Sequence, residues 1–380
     1  MIMKNIKKIL DKGICSGCGA CGYACSVNAI HFEQDENGFL CPTINYSKCV
    51  DCGKCINICP MKQETSYFTK TDVLQYAVKC KDNDIRERSR SGGVFSMLSD
   101  IILEEGGCIF GAVFDEQFNV YHSLATDKIQ RNLMCGSKYV QSDSTKIYEL
   151  LEEKISKNKP VLFTGTPCQV AAVANLFDQS KYNNLVLCDF ICHGVPSPKL
   201  WTSYLNWCEK KYKGKVINAS FRDKNKFGWS SHIENVNING KDIWSMRYKN
   251  LFYSNECLRN SCYSCPYTRI ERVSDFTIGD YWGIEDIDPE FNDEKGISIV
   301  FIRTEKAKNL FDKFKEKSYY INTSNCKPPH YNLYNPTERP ITRDSFWKDF
   351  NSKGFEYVSK KYGGYDLLRR IKIRMVKKIM

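Results

Sequence analysis

Two cysteine runs constrain this chain more than any other feature: Cys15-x2-Cys18-x2-Cys21-x3-Cys25, and Cys49-x2-Cys52-x2-Cys55-x3-Cys59 closed by Pro60. Three thiols at two-residue intervals can wrap three corners of one iron–sulfur cube, while a fourth, three residues on, starts the chain toward a neighbouring cube. The duplication predicts two [4Fe–4S] clusters that exchange their fourth ligands. Cys15, Cys18, Cys21 and Cys59 fall on one, and Cys49, Cys52, Cys55 and Cys25 on the other. Backbone drawn closely round a cube favours residues without a Cβ, and Gly17, Gly19, Gly22 and Gly53 fit that demand.

Zinc competes for the same motif, because paired C-x2-C elements build tetrahedral sites. Zinc takes four ligands, usually as two pairs, whereas each run here supplies a third cysteine at the same short interval. The second run also ends in the Cys-Pro of bacterial ferredoxins; the first has Ser26 in that place, a departure that touches no ligand.

At 380 residues the chain has room for two or three domains, so a ferredoxin-like unit ending near residue 65 is attached to something larger. Twenty cysteines would suggest disulfides in a small secreted protein. The opening MIMKNIKKIL, however, has too short an apolar run for a signal peptide, and Asp11-Lys12-Gly13 follows it. A reducing, cytoplasmic setting is expected, with the cysteines as metal ligands and buried thiols. No stretch approaches bilayer length. The formal charge of +11 overstates the basicity of a loaded protein. Each oxidised cube with its thiolates carries about −2, so two leave about +7 and three about +5. Part of the excess is local, in a basic amphipathic tail from Arg369 to Met380 that suits an anionic membrane surface, an acidic partner such as ferredoxin, or simply solvent. Nucleic-acid binding needs a basic face with interleaved aromatics, and no organised example occurs.

Beyond residue 66 strands and helices alternate. Val94, Phe95, Leu98, Ile101 and Ile102 follow helical spacing directly after Ser91-Gly92-Gly93. Strands are expected at Cys108–Phe114, Val120–Leu124, Val161–Phe163, Leu185–Ile191, Asp275–Tyr281 and Ile297–Ile302, with helices at Ile147–Ile155, Gln169–Phe177 and Glu305–Lys317. This order predicts an α/β core with a mixed sheet and substantial parallel pairing, preceded by a small α+β bacterial-ferredoxin-like domain. Residues 215–250 read as an antiparallel insertion turning at Asn239-Gly240. The organisation is thus a ferredoxin-type domain at 1–65, core parts at 66–150 and 151–320, and a looser extension at 321–380, where apolar periodicity fades.

Several segments carry chemistry. Ser91-Gly92-Gly93 offers backbone N–H groups at a helix start, which suits a phosphate or an ordinary turn. Thr164-Gly165-Thr166-Pro167-Cys168 joins a strand end to a helix, where ligands of open α/β sheets collect, and places Cys168 in the first helical turn. The next strand ends at Cys192, and Cys262-x2-Cys265 is half a metal site. Cys168, Cys192, Cys262 and Cys265 are therefore expected to hold a third [4Fe–4S] cluster, with Cys257 in reserve. Zinc on the same four, or a nucleophilic Cys168 with His193 as base, are the competing readings. Gly136-Ser137-Lys138-Tyr139 combines a turn, a cation and a ring, suited to a flavin or to a plain surface turn. Cys41, Cys80, Cys108, Cys135, Cys188, Cys208 and Cys326 lack ligand spacing and read as packing thiols.

Six segments in order resemble the family of coenzyme F420 hydrogenase/dehydrogenase beta subunits, in the form with an N-terminal two-cluster ferredoxin domain. They are Ser91–Phe95, Gly136–Ser142, Thr164–Gln169, Cys192–Ser197, Ser261–Cys265 and Ser274–Asp280. The resemblance implies FAD beside a four-iron cluster, with Ser91, Gly92, Gly93, Gly136, Ser137, Lys138, Gly165 and Thr166 around it. It makes residues 66–150 a flavin-binding part, and Lys138 and His193 candidates for steadying flavin charge or delivering a proton. The implied activity is electron transfer between ferredoxin, or another redox protein, and a small two-electron substrate, with coenzyme F420 one candidate. Bacterial members of this form look like those found with cell-surface polysaccharide synthesis, which leaves the acceptor open. The alternative is a non-catalytic electron-transfer subunit or adaptor.

Overall fold

The structure is a computed structural model describing residues 5–62 and 72–364. The basic tail from Arg369 lies outside the described residues. Between the two cysteine runs, strands β1 (Ile30–Gln34) and β2 (Leu40–Ile44) form an antiparallel pair in which Ile30 faces Ile44. Each run contains a one-turn helix, Ala20–Tyr23 or Lys54–Asn57, preceded by a glycine in the left-handed region: Gly19 at φ 89° and Gly53 at φ 81°. A side chain is strained there, which accounts for glycine at both positions.

The core is one eight-stranded sheet. Its strands are β3 (Leu74–Cys80), β4 (Cys108–Phe114), β5 (Val120–Ala125), β6 (Val161–Gly165) and β7 (Leu185–Phe190), joined later in the chain by three more. An antiparallel three-stranded insertion comes between, built from β8 (Val216–Ser220), β9 (Glu234–Ile238) and β10 (Lys241–Ser245), with the β9–β10 turn at Asn239-Gly240. The sheet is completed by β11 (Phe276–Asp280), β12 (Ser298–Ile302) and β13 (Ser318–Asn322), in the order β13-β3-β12-β11-β7-β6-β4-β5. The central run β11, β7, β6, β4 is parallel, and every outer pairing is antiparallel.

Alternation along the central strands divides their side chains between two layers. Ile109, Leu162, Val186 and Val300 pack with the helices Val94–Glu104 and Glu305–Phe314. Phe110, Phe163 and Leu187 pack on the other face with Tyr148–Ile155 and Pro167–Leu176. Sheet strands covered on both faces become continuous apolar runs, as Ser298–Ile302 shows by being buried at all five positions.

Two regions depart from the sequence reading. Strand β3 precedes the expected helix and occupies the middle of one side of the sheet. The region beyond residue 320 is also more ordered than its fading periodicity suggests: Arg343–Lys361 is helical and buries Phe346, Trp347, Phe350, Phe355 and Val358 beside Trp201, Tyr204 and Tyr248. It bends at Gly354, φ 76°, so the apolar repeat changes phase within the segment. Replacing the fully buried Phe346 by alanine should lower stability by about 3–5 kcal/mol, read as a reduced urea midpoint of the full chain. An unchanged midpoint would mean that this helix is not part of the cooperative core.

Candidate functional site

The eight cysteines of the two runs sort into two cavities. Cys15, Cys18, Cys21 and Cys59 line one, and Cys25, Cys49, Cys52 and Cys55 the other. Each fourth residue has crossed to its neighbour's cavity, the grouping the spacing predicts. Backbone N–H groups point at the sulfurs, Gly17 N donating to Cys15 Sγ at 3.3 Å and Ala29 N to Cys25 Sγ at 3.2 Å. Such hydrogen bonds orient the sulfurs that would ligate iron. Among the described residues no three His, Cys, Asp or Glu side chains converge to hold a single ion. The thiols of each set line a common space, which suits a cube.

Cys168, Cys192, Cys262 and Cys265 line a third cavity. The helix Pro167–Leu176 delivers Cys168 in its first turn, capped by Thr166 and Gln169 in a reciprocal pair. Cys192 follows the end of β7. The turn bearing Cys262 approaches because Gly194 has no side chain: a Cβ there would meet Leu258 Cδ1 at 2.8 Å and Cys262 Cβ at 3.3 Å. Below, a buried ion pair between Arg272 and Asp189 (3.1 Å) ties the segment after Cys265 to β7, with Ser274 and Thr277 also donating to Asp189. Burial pushes the Cys262 thiol up to about 11 and Cys265 up to about 12, and neighbouring thiols add to the rise. A metal that takes the thiolates relieves that cost. Cys257 does not line this cavity; its thiol donates to Leu251 O at 3.2 Å.

The cavities adjoin. Ser16 lines both the Cys15 cavity and the third, and Arg259 stands at this boundary. Its Nε donates to Cys15 O at 2.6 Å, Nη1 to Gln141 at 3.1 Å and Nη2 to Cys41 Sγ at 3.3 Å. Cys41, a packing thiol by its spacing, is thus an acceptor for a buried cation.

On the far wall of the third cavity, Thr166, Cys192 and His193 also line a cleft of about 450 Å³. It opens beyond the carboxyl ends of the parallel strands β6, β7 and β11, where α/β sheets bind ligands. Ser91, Gly93, Gly136, Ser137, Lys138 and Gly165 all line it, although they come from separate segments of the chain. Gly92 does not: its N–H donates to Ser298 Oγ at 2.9 Å, and a Cβ there would lie 2.0 Å from Val78 O. That glycine permits packing of the turn and offers no free N–H to a phosphate. Lys138 spreads its Nζ over four carbonyls closing the helix Lys128–Met134, those of Leu133, Met134, Cys135 and Gly136 at 3.2–3.4 Å. Burial pulls its pKa down to about 8. The His193 ring is held between Asn255 Oδ1 (2.7 Å) and Asn332 Oδ1 (3.3 Å), and burial lowers its pKa.

Sequence reading missed the opposite wall. Arg90, Arg222, Asp280, His232, Tyr253 and Trp282 line the cleft there. Trp282 stacks on Trp229 at 4.6 Å and 10°, and Arg222 pairs with Asp280 at 2.5 Å. Arg222, Trp229 and His232 arrive from the insertion, whose polar alternation signals strands but not which way its loop faces. The donor sets fit iron–sulfur clusters, and a cleft with flat rings and cations fits an anionic, planar cofactor such as FAD.

These features define an iron–sulfur protein of the electron-transfer class. Residues 14–63 match the 4Fe-4S dicluster domain, and residues 158–328 match the C terminus of the coenzyme F420 hydrogenase/dehydrogenase beta subunit. The chain thus carries a dicluster domain ahead of a domain that matches the C terminus of that beta subunit. It is 22% identical over 332 residues to a subunit of the F(420)H(2) dehydrogenase of Methanosarcina mazei, covering 82% of this chain and 86% of the relative. It is 23% identical over 359 residues to an uncharacterized protein of Methanocaldococcus jannaschii (83% and 91% covered). Its first part is 38% identical over 61 residues to a ferredoxin of Pyrobaculum islandicum, covering 16% of this chain and 53% of the ferredoxin. A chain in the F420-reducing [NiFe] hydrogenase complex of Methanosarcina barkeri aligns with a TM-score of 0.47 at 18% identity, over 79% of this chain and 94% of that one. Among the described residues no helix is long and apolar enough to cross a membrane.

Anaerobically purified protein should contain about twelve irons, falling to about eight when Cys262 and Cys265 are both replaced by alanine. Eight irons plus one zinc in the unmodified chain would exclude a third cluster.

Proposed function

We propose that the chain is an iron–sulfur flavoprotein oxidoreductase that carries electrons between ferredoxin, or another redox protein, and a two-electron substrate. The order of the cavities is the observation that supports this reading. The outermost set includes the exposed Cys52, its Cys55 thiol lies near Cys21 of the next set, Ser16 joins that set to the third, and Cys192 borders the cleft. The twelve cysteines would hold three [4Fe–4S] clusters, and Ser91, Gly93, Gly136, Ser137, Lys138, Gly165 and Thr166 would surround FAD. When bound, the clusters supply one-electron carriers and FAD a two-electron hydride chemistry.

The chain's own groups set the conditions. Arg259 places a buried positive charge between the first and third sets of thiols. Asn255 and Asn332 fix the ring of His193 on the wall shared by the third cavity and the cleft, where it can hold a proton at Nε2 or Nδ1. Lys138 brings its charge to the wall of the cleft that would hold the flavin while closing a helix. In this reading residues 1–65 receive electrons, 66–150 and 151–320 build the cleft and third cavity, and 321–364 brace them. A second reading, an electron-transfer subunit or adaptor without a substrate of its own, draws support from the matched relative's being one component of a dehydrogenase.

Denaturing the anaerobically purified protein should release FAD, reduced ferredoxin should bleach the bound flavin, and the deazaflavin coenzyme or a nucleotide sugar should restore its colour. Protein with the full iron complement and no flavin would defeat the flavoprotein reading. Reoxidation only on addition of a partner protein would favour the adaptor.

A further inference from the structure

The cleft contains a cation that the reading above leaves without a task. Arg90 lines it immediately before the Ser91-Gly92-Gly93 turn, and its Nε and Nη1 are shielded from solvent with no hydrogen-bond partner among the described residues. The nearby carboxylates are committed elsewhere. Asp280 pairs with Arg222, whose guanidinium also donates to the carbonyls of Trp229 and Ser231. Asp223 accepts from Trp244 Nε1 at 2.7 Å and from Asn235 at 3.3 Å. The turn's own donors are spent as well, Ser91 Oγ on Ile297 O at 2.6 Å and Gly92 N on Ser298 Oγ.

Two guanidinium nitrogens shielded from water without an acceptor are costly, and an anion that completes the site recovers the cost. Burial, with Arg222 nearby, lowers the Arg90 pKa to about 10, which leaves it charged at neutral pH. The surrounding sign agrees, since Lys224 Nζ reaches the carbonyls of Arg86 and Ser89 alongside. The same cleft presents the flat ring of Trp282, backed by Trp229, with the Arg222 guanidinium 5.7 Å from its centre.

We propose that Arg90 anchors an anionic group, a phosphate or carboxylate, carried by a planar-ring ligand of the cleft. Its planar guanidinium presents N–H donors in fixed directions to the oxygens of such a group, which an ammonium does not. The inference deepens the flavin reading of the cleft and rests on it for the ring. The anion has two sources, the phosphates of FAD or the anionic end of the second substrate.

The test uses the full chain and its Arg90→Met and Arg90→Lys variants. Inorganic pyrophosphate should raise the thermal midpoint of the flavin-stripped wild type progressively and leave that of flavin-stripped R90M unmoved. R90K should keep the effect only at several-fold higher pyrophosphate, and it serves alone where R90M fails to fold. Flavin-stripped protein is then titrated with FAD and with riboflavin, which has no phosphate, by quenching of flavin fluorescence. If the anion belongs to FAD, R90M weakens FAD about ten- to a hundredfold and leaves riboflavin unchanged. If it belongs to the second substrate, FAD affinity is equal in both proteins, while pyrophosphate protects FAD-loaded wild type and not FAD-loaded R90M. Pyrophosphate that affects wild type and variants alike, with equal FAD affinities, overturns the proposal. Wild type that binds neither flavin yet shows the Arg90-dependent pyrophosphate effect defeats the flavin reading and leaves the anion site standing.

Discussion

Everything beyond the first sixty residues is organised around how the core grips the main chain of the cysteine runs. Side chains of the core donate to carbonyl oxygens there one after another: Arg259 to Cys15, Gln141 to Ser16, Ser144 and Tyr148 to Cys18, Asn175 to Ile58, and Tyr267 to Pro60. Backbone wound round a metal cage cannot satisfy its own carbonyls through a helix or ladder, and a buried unpaired carbonyl costs about 1–3 kcal/mol. The core supplies the missing partners, and in doing so holds two cavities against a third. Arg259 has the largest share in this, because a charge-assisted bond is about twice as strong as a neutral one.

The same economy recurs beneath the third cavity. Asp189 sits at the paired edges of β7 and β11, buried, and receives Arg272, Ser274 and Thr277. A neighbouring carboxylate, Asp275, accepts from Leu187 N at 2.8 Å and from Thr304. Removing any one donor would leave a buried carboxylate short of a partner, so the network specifies one placement of the strand ends. The cleft inherits this rigidity, since its floor is made by those ends, while Arg222 and His232 of its opposite wall come from the separate insertion.

Legibility in the sequence followed the range of the signal. The cysteine runs declared their grouping because ligand spacing is local and the exchange of fourth ligands follows from it. The parallel strands declared themselves through short apolar runs before turns. Arg90 and Arg222 did not, because an arginine reads the same whether it faces solvent or a cleft, and only the fold decides. Gly92 was legible as a special residue but for a different reason, being required by contact with Val78 rather than by a ligand. The final helix was hidden by the bend at Gly354, which splits its apolar face into two shorter patterns, and β3 by its isolation between the ferredoxin-like unit and the first core helix.

The grip of the core on the cysteine runs also has a temporal side. The donors that satisfy Cys15 and Pro60, Arg259 and Tyr267, are encoded about two hundred residues later than the last cysteine of the runs. At about 5–20 residues per second a ribosome needs roughly 10–40 s to cover that distance. Throughout that interval the nascent runs exist without the side chains that later enclose them, with their carbonyls still open to water. During this pause the inner thiols are within reach of solvent, before the finished molecule closes over them.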